Sequence, residues 1–155
     1  MVSEAQLRDQ LAVNLDMLEE GLTLIEKEHR LVNPIGAKGF VDILACDKYG
    51  NRVLIELKKS NTAARQALHE LCKYIALFRF NHGLPAHQIR CFVVSTEWHE
   101  LRVPFAEFAQ TAGYQVEGFE LAVAQSGTII SASRVSLPKL PEAQSLATQH
   151  LILLI

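Results

Sequence analysis

The feature that most limits the fold is a pair of alternating apolar segments, residues 40–47 and 51–58, joined by Lys48, Tyr49 and Gly50. Three-residue loops with glycine at the left-handed position connect antiparallel strands. A two-residue loop would shift the register by one residue and turn every side chain of one strand to the other face. The two segments therefore predict a β-hairpin with a three-residue loop.

The loop also fixes the register of this hairpin. Counting back from it places Ile43 opposite Ile55 and Asp42 opposite Glu56. Because side chains alternate along a strand, one face is predicted to be wholly apolar and to belong to the core. This apolar face holds Val41, Ile43, Ala45, Val53, Ile55 and Leu57. The opposite face holds Phe40, Asp42, Leu44, Leu54, Glu56 and Lys58.

The polar face of the hairpin predicts a metal site. Opposed residues of an antiparallel pair have Cβ atoms about 4.5–5.5 Å apart, so Asp42 and Glu56 repel each other unless a cation lies between them. Lys58 supplies one positive charge, and a divalent cation would supply more. Oxygen ligands from the two acids, a backbone carbonyl such as that of Leu57 and water suit Mg²⁺ or Mn²⁺. The alternative is a structural salt bridge between Lys58 and one acid.

Such a site is suited to phosphodiester hydrolysis. A bound metal ion can hold a scissile phosphate, lower the pKa of a bound water and offset the charge of the transition state. Lys58 can orient or deprotonate that water, or stabilise the phosphorane oxygens. The predicted catalytic residues are therefore Asp42, Glu56 and Lys58.

The rest of the chain shows helical and strand patterns in turn. Helices are predicted over residues 3–21, 62–80 and 104–111, and further strands over residues 24–32, 89–95 and 114–124. The order α-β-β-β-α-β, followed by one more helix and strand, predicts an α/β fold with a mixed central sheet flanked by helices. The pattern weakens after residue 124, so we expect one domain over residues 1–124 and a C-terminal extension over residues 125–155. The apolar residues 151–155 suggest an interface, such as a homodimer, or further domains.

Length and charge agree with this interpretation. The chain has 155 residues and a formal net charge of −2, which suits one globular domain and argues against a generally basic protein. Residues 52–90 nevertheless hold seven Lys and Arg side chains against two acids, Glu56 and Glu70. This local excess predicts a nucleic-acid surface, and a solvated helix face is the alternative.

Other functional classes find little support in the sequence. The three cysteines form no CxxC pair and are expected to be free thiols. The histidines form no ligand pair, and neither a phosphate-binding glycine loop nor a serine nucleophile motif is present. Trp98 could stack on a base, although a loop anchor is the favoured interpretation. Without a signal peptide or an apolar run of membrane-spanning length, the protein is expected to be soluble and cytoplasmic.

Gly-Phe-Val-Asp at residues 39–42 and Glu-Leu-Lys at residues 56–58 resemble the GxxD and ExK motifs of the PD-(D/E)XK nuclease superfamily. Within it, the NucS-like and RecB-like branches are the most similar. Residues 4–11 resemble the first-helix segment whose glutamate, here Glu4, faces the metal site. The resemblance covers roughly residues 3–94 and implies a restriction-endonuclease-like core that cleaves DNA with Mg²⁺ or Mn²⁺.

One motif departs from this family. The helix after ExK often carries a QxxxY signature, and the matching positions here are Glu70 and Tyr74, with Gln66 one turn earlier. The i, i+4 spacing places Glu70 and Tyr74 on one helix face, where an additional acid could bind metal or repel phosphate. The resemblance implies a DNA nuclease, and an inactive domain that binds nucleic acid or protein is the alternative. Expected nucleic-acid contacts are Lys59, Arg65, Gln66 and Lys73.

Overall fold

The computed structural model of the protein describes residues 1–31, 39–59 and 64–138. Three helices lie in these ranges: α1 (Glu4–Ala12), α2 (Ala64–His82) and α3 (Arg102–Thr111). The strands are β1 (Thr23–Leu31), β2 (Gly39–Cys46), β3 (Arg52–Lys58), β4 (Ile89–Ser95), β5 (Gln115–Val123) and β6 (Ile129–Arg134). Short 3₁₀ turns occur at Leu15–Met17 and Ala86–Gln88.

The strands form one mixed sheet in the order β1-β2-β3-β4-β5-β6. Strands β1, β2 and β3 are antiparallel, β3, β4 and β5 are parallel, and β6 is antiparallel to β5. Two apolar clusters cover the two faces, one with Leu7 and Leu11 of α1 and the other with side chains of α2 and α3. The predicted α/β class, with a mixed sheet flanked by helices, is confirmed.

The hairpin of β2 and β3 has the predicted register. Ile43 pairs with Ile55 and Ala45 with Val53, and the loop glycine, Gly50, has a left-handed φ of +87°. The four paired residues are fully buried, because the sheet continues on both sides of the hairpin. The register therefore brings residues 42 and 56 to the same end of the hairpin.

One residue of the predicted apolar face lies on the other face. Val41 packs in the cluster of Leu44 and Leu54 beneath α2, whereas Ile43 packs on the side of α1. Val41 and Leu44 are three positions apart, so they share a face only if the alternation of side chains is interrupted between them. The interruption lies near Asp42, which falls opposite Glu28 of β1, a non-glycine residue with a φ of +50°.

The first helix is shorter than predicted. It begins after Ser3, whose hydroxyl accepts from the Gln6 N–H (3.1 Å) while the Ser3 N–H donates to the Gln6 side chain (2.8 Å). It ends at Ala12, and Asn14 leaves helical geometry with a φ of −145°. Leu15, Leu18 and Leu22 are still buried, although they lie in a 3₁₀ turn and a loop. Their spacing made the predicted helix too long, because buried residues of a loop can recur at the same spacing as the buried face of a helix.

Strand β6 was not predicted. Of its six residues only Ile129 is buried, because β6 is an edge strand with little apolar alternation. It pairs with β5 and so continues the sheet beyond residue 124.

The remaining sequence predictions have separate outcomes. Residues 151–155, predicted as an interface, lie outside the described residues. In the described ranges, no helix has the length and apolarity needed to cross a membrane. The three cysteines are free thiols, as predicted.

Trp98 anchors the loop after β4, as the sequence favoured. Its side chain is buried, and its indole N–H donates to the Phe119 carbonyl (2.9 Å).

Gly118 of β5 lies against Trp98. A Cβ added at Gly118 would lie 2.5 Å from Cη2 of Trp98 and 3.1 Å from Cε1 of Phe105. We expect Gly118→Ala to lower the free energy of unfolding by about 1–3 kcal/mol through this overpacking. Urea denaturation measures it, and Gly113→Ala is the control, because a Cβ there meets no atom within 4 Å.

Candidate functional site

Asp42 and Glu56 meet where the β2–β3 pairing ends. The Asp42 N–H donates to Oε1 of Glu56 (3.2 Å), and the Leu57 N–H donates to Oδ2 of Asp42 (2.8 Å). The two carboxyl groups are also close enough for the charge of Asp42 to act on Glu56. Glu56 is buried and Asp42 is half-buried. The hairpin thus brings the two predicted acids together, and these side-chain bonds accompany the interrupted alternation at Asp42.

The two acids cannot both be ionised without strong repulsion. Burial raises the pKa of Asp42. Burial raises the pKa of Glu56 well above its usual value, and the charge of Asp42 raises it further. The ammonium of Lys58 opposes both shifts. Among the described residues, the Lys58 ammonium is thus shared by two acids, so the pair would hold a proton tightly and exchange it for a divalent cation.

The donor set fits a hard divalent cation. Two carboxylates, the Leu57 carbonyl and water are oxygen ligands of the kind that Mg²⁺ and Mn²⁺ prefer. Over residues 1–31, 39–59 and 64–138, no group of three or more His, Cys, Asp or Glu side chains is close enough to hold a metal ion. A metal at this place would therefore take two protein carboxylates and complete its coordination with other oxygens.

Glu4 lies beside this pair. Its carboxylate accepts from the Lys59 N–H (3.0 Å), and its charge contributes to the raised pKa of Asp42. The structure thus places Glu4 near Asp42 but, among the described residues, not in a three-carboxylate group. Glu4 is the first residue of α1, so the capped start of that helix fixes its backbone.

Helix α2 faces the acids from the other side. Tyr74 is half-buried, and burial raises the pKa of its hydroxyl. Three carboxylates raise that pKa further: Glu70, Glu56 and Asp42. Glu70 lies one turn before Tyr74 and is half-buried. Both residues of the altered signature are therefore in electrostatic contact with each other, and Tyr74 also with the acid pair.

The residues predicted to contact nucleic acid lie in different environments. Lys73 is exposed on α2, where a phosphate could reach it. The ammonium of Lys59 donates instead to the Val2 carbonyl, which turns it toward the start of α1. Arg65 and Gln66 belong to α2, but their side chains lie outside the described residues.

Thr96 was missed by the sequence analysis. Its hydroxyl donates to the Lys59 carbonyl (2.8 Å), which links the loop after β4 to the end of β3. No motif marks it, since this contact follows from the parallel pairing of Lys58 with Ser95, residues far apart in the chain.

A second charged cluster surrounds Arg90 near the start of β4. The buried Arg90 guanidinium contacts Glu19 (2.6 and 2.7 Å), Asp47 (3.2 Å) and Glu117 (3.3 Å). The hydrogen bond from Arg90 lowers the pKa of Glu19 despite partial burial. Burial alone would raise the pKa of Asp47, but hydrogen bonds led by those from Asn51 lower it. These acids are thus stabilised as anions, unlike Asp42 and Glu56.

Comparison with known proteins identifies a family match and several relatives. The family model described as the Endonuclease NucS C-terminal domain matches residues 3–102. Endonuclease NucS of Methanocaldococcus jannaschii is 33% identical over 81 residues, which are 52% of this chain and 28% of that protein. Endonuclease NucS of Pyrococcus furiosus is 31% identical over 81 residues, again 52% of this chain and 28% of that protein. The match thus spans less than a third of these relatives.

Two solved structures share the fold. An EndoMS–dsDNA2 complex has a TM-score of 0.54 at 23% identity, over 76% of this chain and 44% of that one. A repair endonuclease from Pyrococcus abyssi has a TM-score of 0.53 at 23% identity, over 77% of this chain and 48% of that one. The predicted likeness to the NucS-like branch is confirmed by the family match. The chain belongs to the family of Endonuclease NucS C-terminal domains.

Proposed function

We propose that this chain is a metal-dependent DNA nuclease domain of the PD-(D/E)XK type, with a restriction-endonuclease-like core. Asp42, Glu56 and the Leu57 carbonyl would hold Mg²⁺ or Mn²⁺, and Glu4 would add an outer oxygen. The observation that carries the proposal is the acid pair that accepts from the Asp42 and Leu57 N–H groups, in which Glu56 is buried and the Lys58 ammonium acts on both members. A purely structural salt bridge would pair one acid with one base, whereas here Lys58 acts on two acids.

The surrounding side chains have suitable chemistry. A bound divalent cation supplies Lewis acidity and lowers the pKa of its water. Lys58 lies on the same strand two residues after Glu56, so its ammonium can orient the attacking water or stabilise phosphate oxygens. The raised pKa of Tyr74 keeps its hydroxyl protonated at neutral pH, and it can donate a hydrogen bond to a phosphate oxygen. Each group then has a separate role.

DNA is the proposed substrate because the family is one of endonucleases and a structure of similar fold is described as a complex with dsDNA. Among the described basic side chains between β3 and β4, Lys73 is exposed on α2 and would provide a phosphate contact for it. Phosphate contacts position a duplex without reading its sequence, so they favour no particular site.

Cleavage of double-stranded DNA tests the assignment. The wild-type protein is expected to cleave with Mg²⁺ or Mn²⁺ and to stop on addition of EDTA. Lys58→Met should lower the rate by about 10²–10³-fold, as expected when one transition-state charge contact is lost. Lys48→Met is the matched control, since Lys48 is exposed in the hairpin loop. Equal cleavage by the wild type and Lys58→Met would remove Lys58 from the catalytic site.

A nuclease fold that binds DNA without cleaving it is the second candidate. Glu70 favours it, because an acid replaces the family's glutamine beside Tyr74 and can repel a phosphate. In that case DNA binding weakens as salt rises, no metal supports cleavage, and Glu70→Gln restores activity. Cleavage by the wild type at a rate equal to that of Glu70→Gln excludes this candidate.

A further inference from the structure

We propose that Thr96 is a positioning residue of the acidic site, because through Lys59 it holds the Glu4 carboxylate beside Asp42. The inference rests on the proposed function, since it assigns a role within the same site. It adds a side chain from the loop after β4, whereas the other proposed groups come from α1, β2, β3 and α2.

The Lys59 backbone is bonded on both sides. Its N–H donates to Oε1 of Glu4 (3.0 Å), and its carbonyl accepts from the Thr96 hydroxyl (2.8 Å). Its ammonium donates to the Val2 carbonyl. Lys59 follows the last residue of β3, so this one residue joins the end of β3 to the start of α1 and to the loop after β4.

Glu4 needs such a bond to stay near the site. It is an exposed residue, and its negative charge is placed near another acid, Asp42, which alone would drive the side chain into solvent. The capping box of Ser3 and Gln6 fixes the helix backbone but leaves the Glu4 carboxylate free to rotate. The Lys59 N–H is the hydrogen-bond donor that opposes this repulsion.

The loop that carries Thr96 is held in place by hydrogen bonds and packing on both sides. Next to it, the Ser95 hydroxyl donates to the Glu97 carbonyl (2.9 Å) and accepts from the Glu97 N–H (3.1 Å). Two residues on, Trp98 is buried and bonded to the Phe119 carbonyl. The loop is therefore fixed on both sides of Thr96, so its hydroxyl can hold the Lys59 carbonyl in one place.

The expected consequence of removing the hydroxyl is a weaker metal site. Without the bond from Thr96, the backbone at Lys59 can change its φ and ψ angles, and the Lys59 N–H is then no longer held in line with the Glu4 carboxylate. The site would lose an oxygen close to the acid pair while both acids stay in place. Partners that orient ligands in this indirect way typically change metal affinity by about 10- to 100-fold.

Thr96→Val removes the hydroxyl at nearly constant volume, and Thr96→Ser keeps it. We expect Thr96→Val to bind Mn²⁺ about tenfold more weakly than the wild type in calorimetric titration, and Thr96→Ser to bind almost normally. Glu4→Ala should lose a similar affinity, and the double variant should lose no more than Glu4→Ala alone. Hydrogen exchange of the Lys59 amide should be faster in Thr96→Val and unchanged in Thr96→Ser.

Normal Mn²⁺ affinity in Thr96→Val, or additive losses in the double variant, would overturn the positioning role. A thermal midpoint of Thr96→Val close to that of the wild type shows that the variant is folded. DNA cleavage is measured separately. If the wild type binds Mn²⁺ but never cleaves, the nuclease proposal fails while Mn²⁺ affinity and amide exchange still decide the role of Thr96. A wild type that binds no Mn²⁺ overturns both.

Discussion

Glu56→Gln is expected to abolish most DNA cleavage and to stabilise the protein at the same time. The rate should fall by about 10³-fold, because loss of the proposed metal ligand would remove several kcal/mol of transition-state stabilisation. The free energy of unfolding should rise by about 0.5–2 kcal/mol, as is common when a strained active-site charge is removed. The amide oxygen can still accept from the Asp42 N–H, and its NH₂ can donate to the Asp42 carboxylate.

Urea denaturation at pH 8 without metal measures the stability, and DNA cleavage with Mg²⁺ measures the rate. Glu120→Gln is the control, because Glu120 is exposed on β5. The raised pKa of Glu56 determines how stability depends on pH. Glu56 binds a proton more tightly in the folded protein than in the unfolded chain, so the free energy of unfolding of the wild type falls as the pH rises from the unfolded pKa through the folded one. A variant that is less stable than the wild type at pH 8 would contradict the repulsion between the acids.

Arg90→Met is expected to have the largest effect on stability, a loss of about 3–5 kcal/mol. The side chain is 9% exposed and contacts three acids, of which Asp47 is 2% exposed. Methionine fills much of the same volume but leaves the three carboxylates without this cation. Guanidinium unfolding measures the loss, and Arg30→Met, at an exposed position of β1, is the control. A loss below about 1 kcal/mol would show that water replaces the guanidinium.

The same cluster predicts acid sensitivity. The lowered pKa values of Glu19 and Asp47 mean that both acids stabilise the folded state as anions. Their contribution is present above the unfolded pKa values and is lost as pH falls through the lowered folded ones. The stability of the wild type should therefore drop below about pH 4, and that of Arg90→Met should depend less on pH in this range.

The centre of the site could be predicted because it is local. Asp42 and Glu56 lie on two strands that one short loop joins, so the position of Gly50 was enough to predict that they meet at the same end of the hairpin. The facing of Tyr74 and Glu70 likewise followed from helical spacing. In both cases the residues are close in sequence, so the geometry of a hairpin or a helix is enough to predict that they are close in space.

The parts that could not be predicted depend on long-range contacts. Val41 changes face where side chains of the acid pair bond to backbone N–H groups near Asp42, and no alternation pattern reports that. Thr96 meets Lys59 only through the pairing of β3 with β4. Arg90 meets Glu19 across 71 residues, and the basic side chain alone does not identify its partner.

The acid pair and the Arg90 cluster lie on opposite faces of the sheet. Glu56 pairs with Val93 in the register of β3 and β4, so Arg90 is three residues, about 10 Å, further back along β4. Groups this far apart without shared partners change the energy of a protein independently. Substitutions at the acid pair are therefore expected to leave the stabilisation that the Arg90 cluster provides unchanged, so the candidate site can vary in sequence while the cluster maintains the stability of the fold.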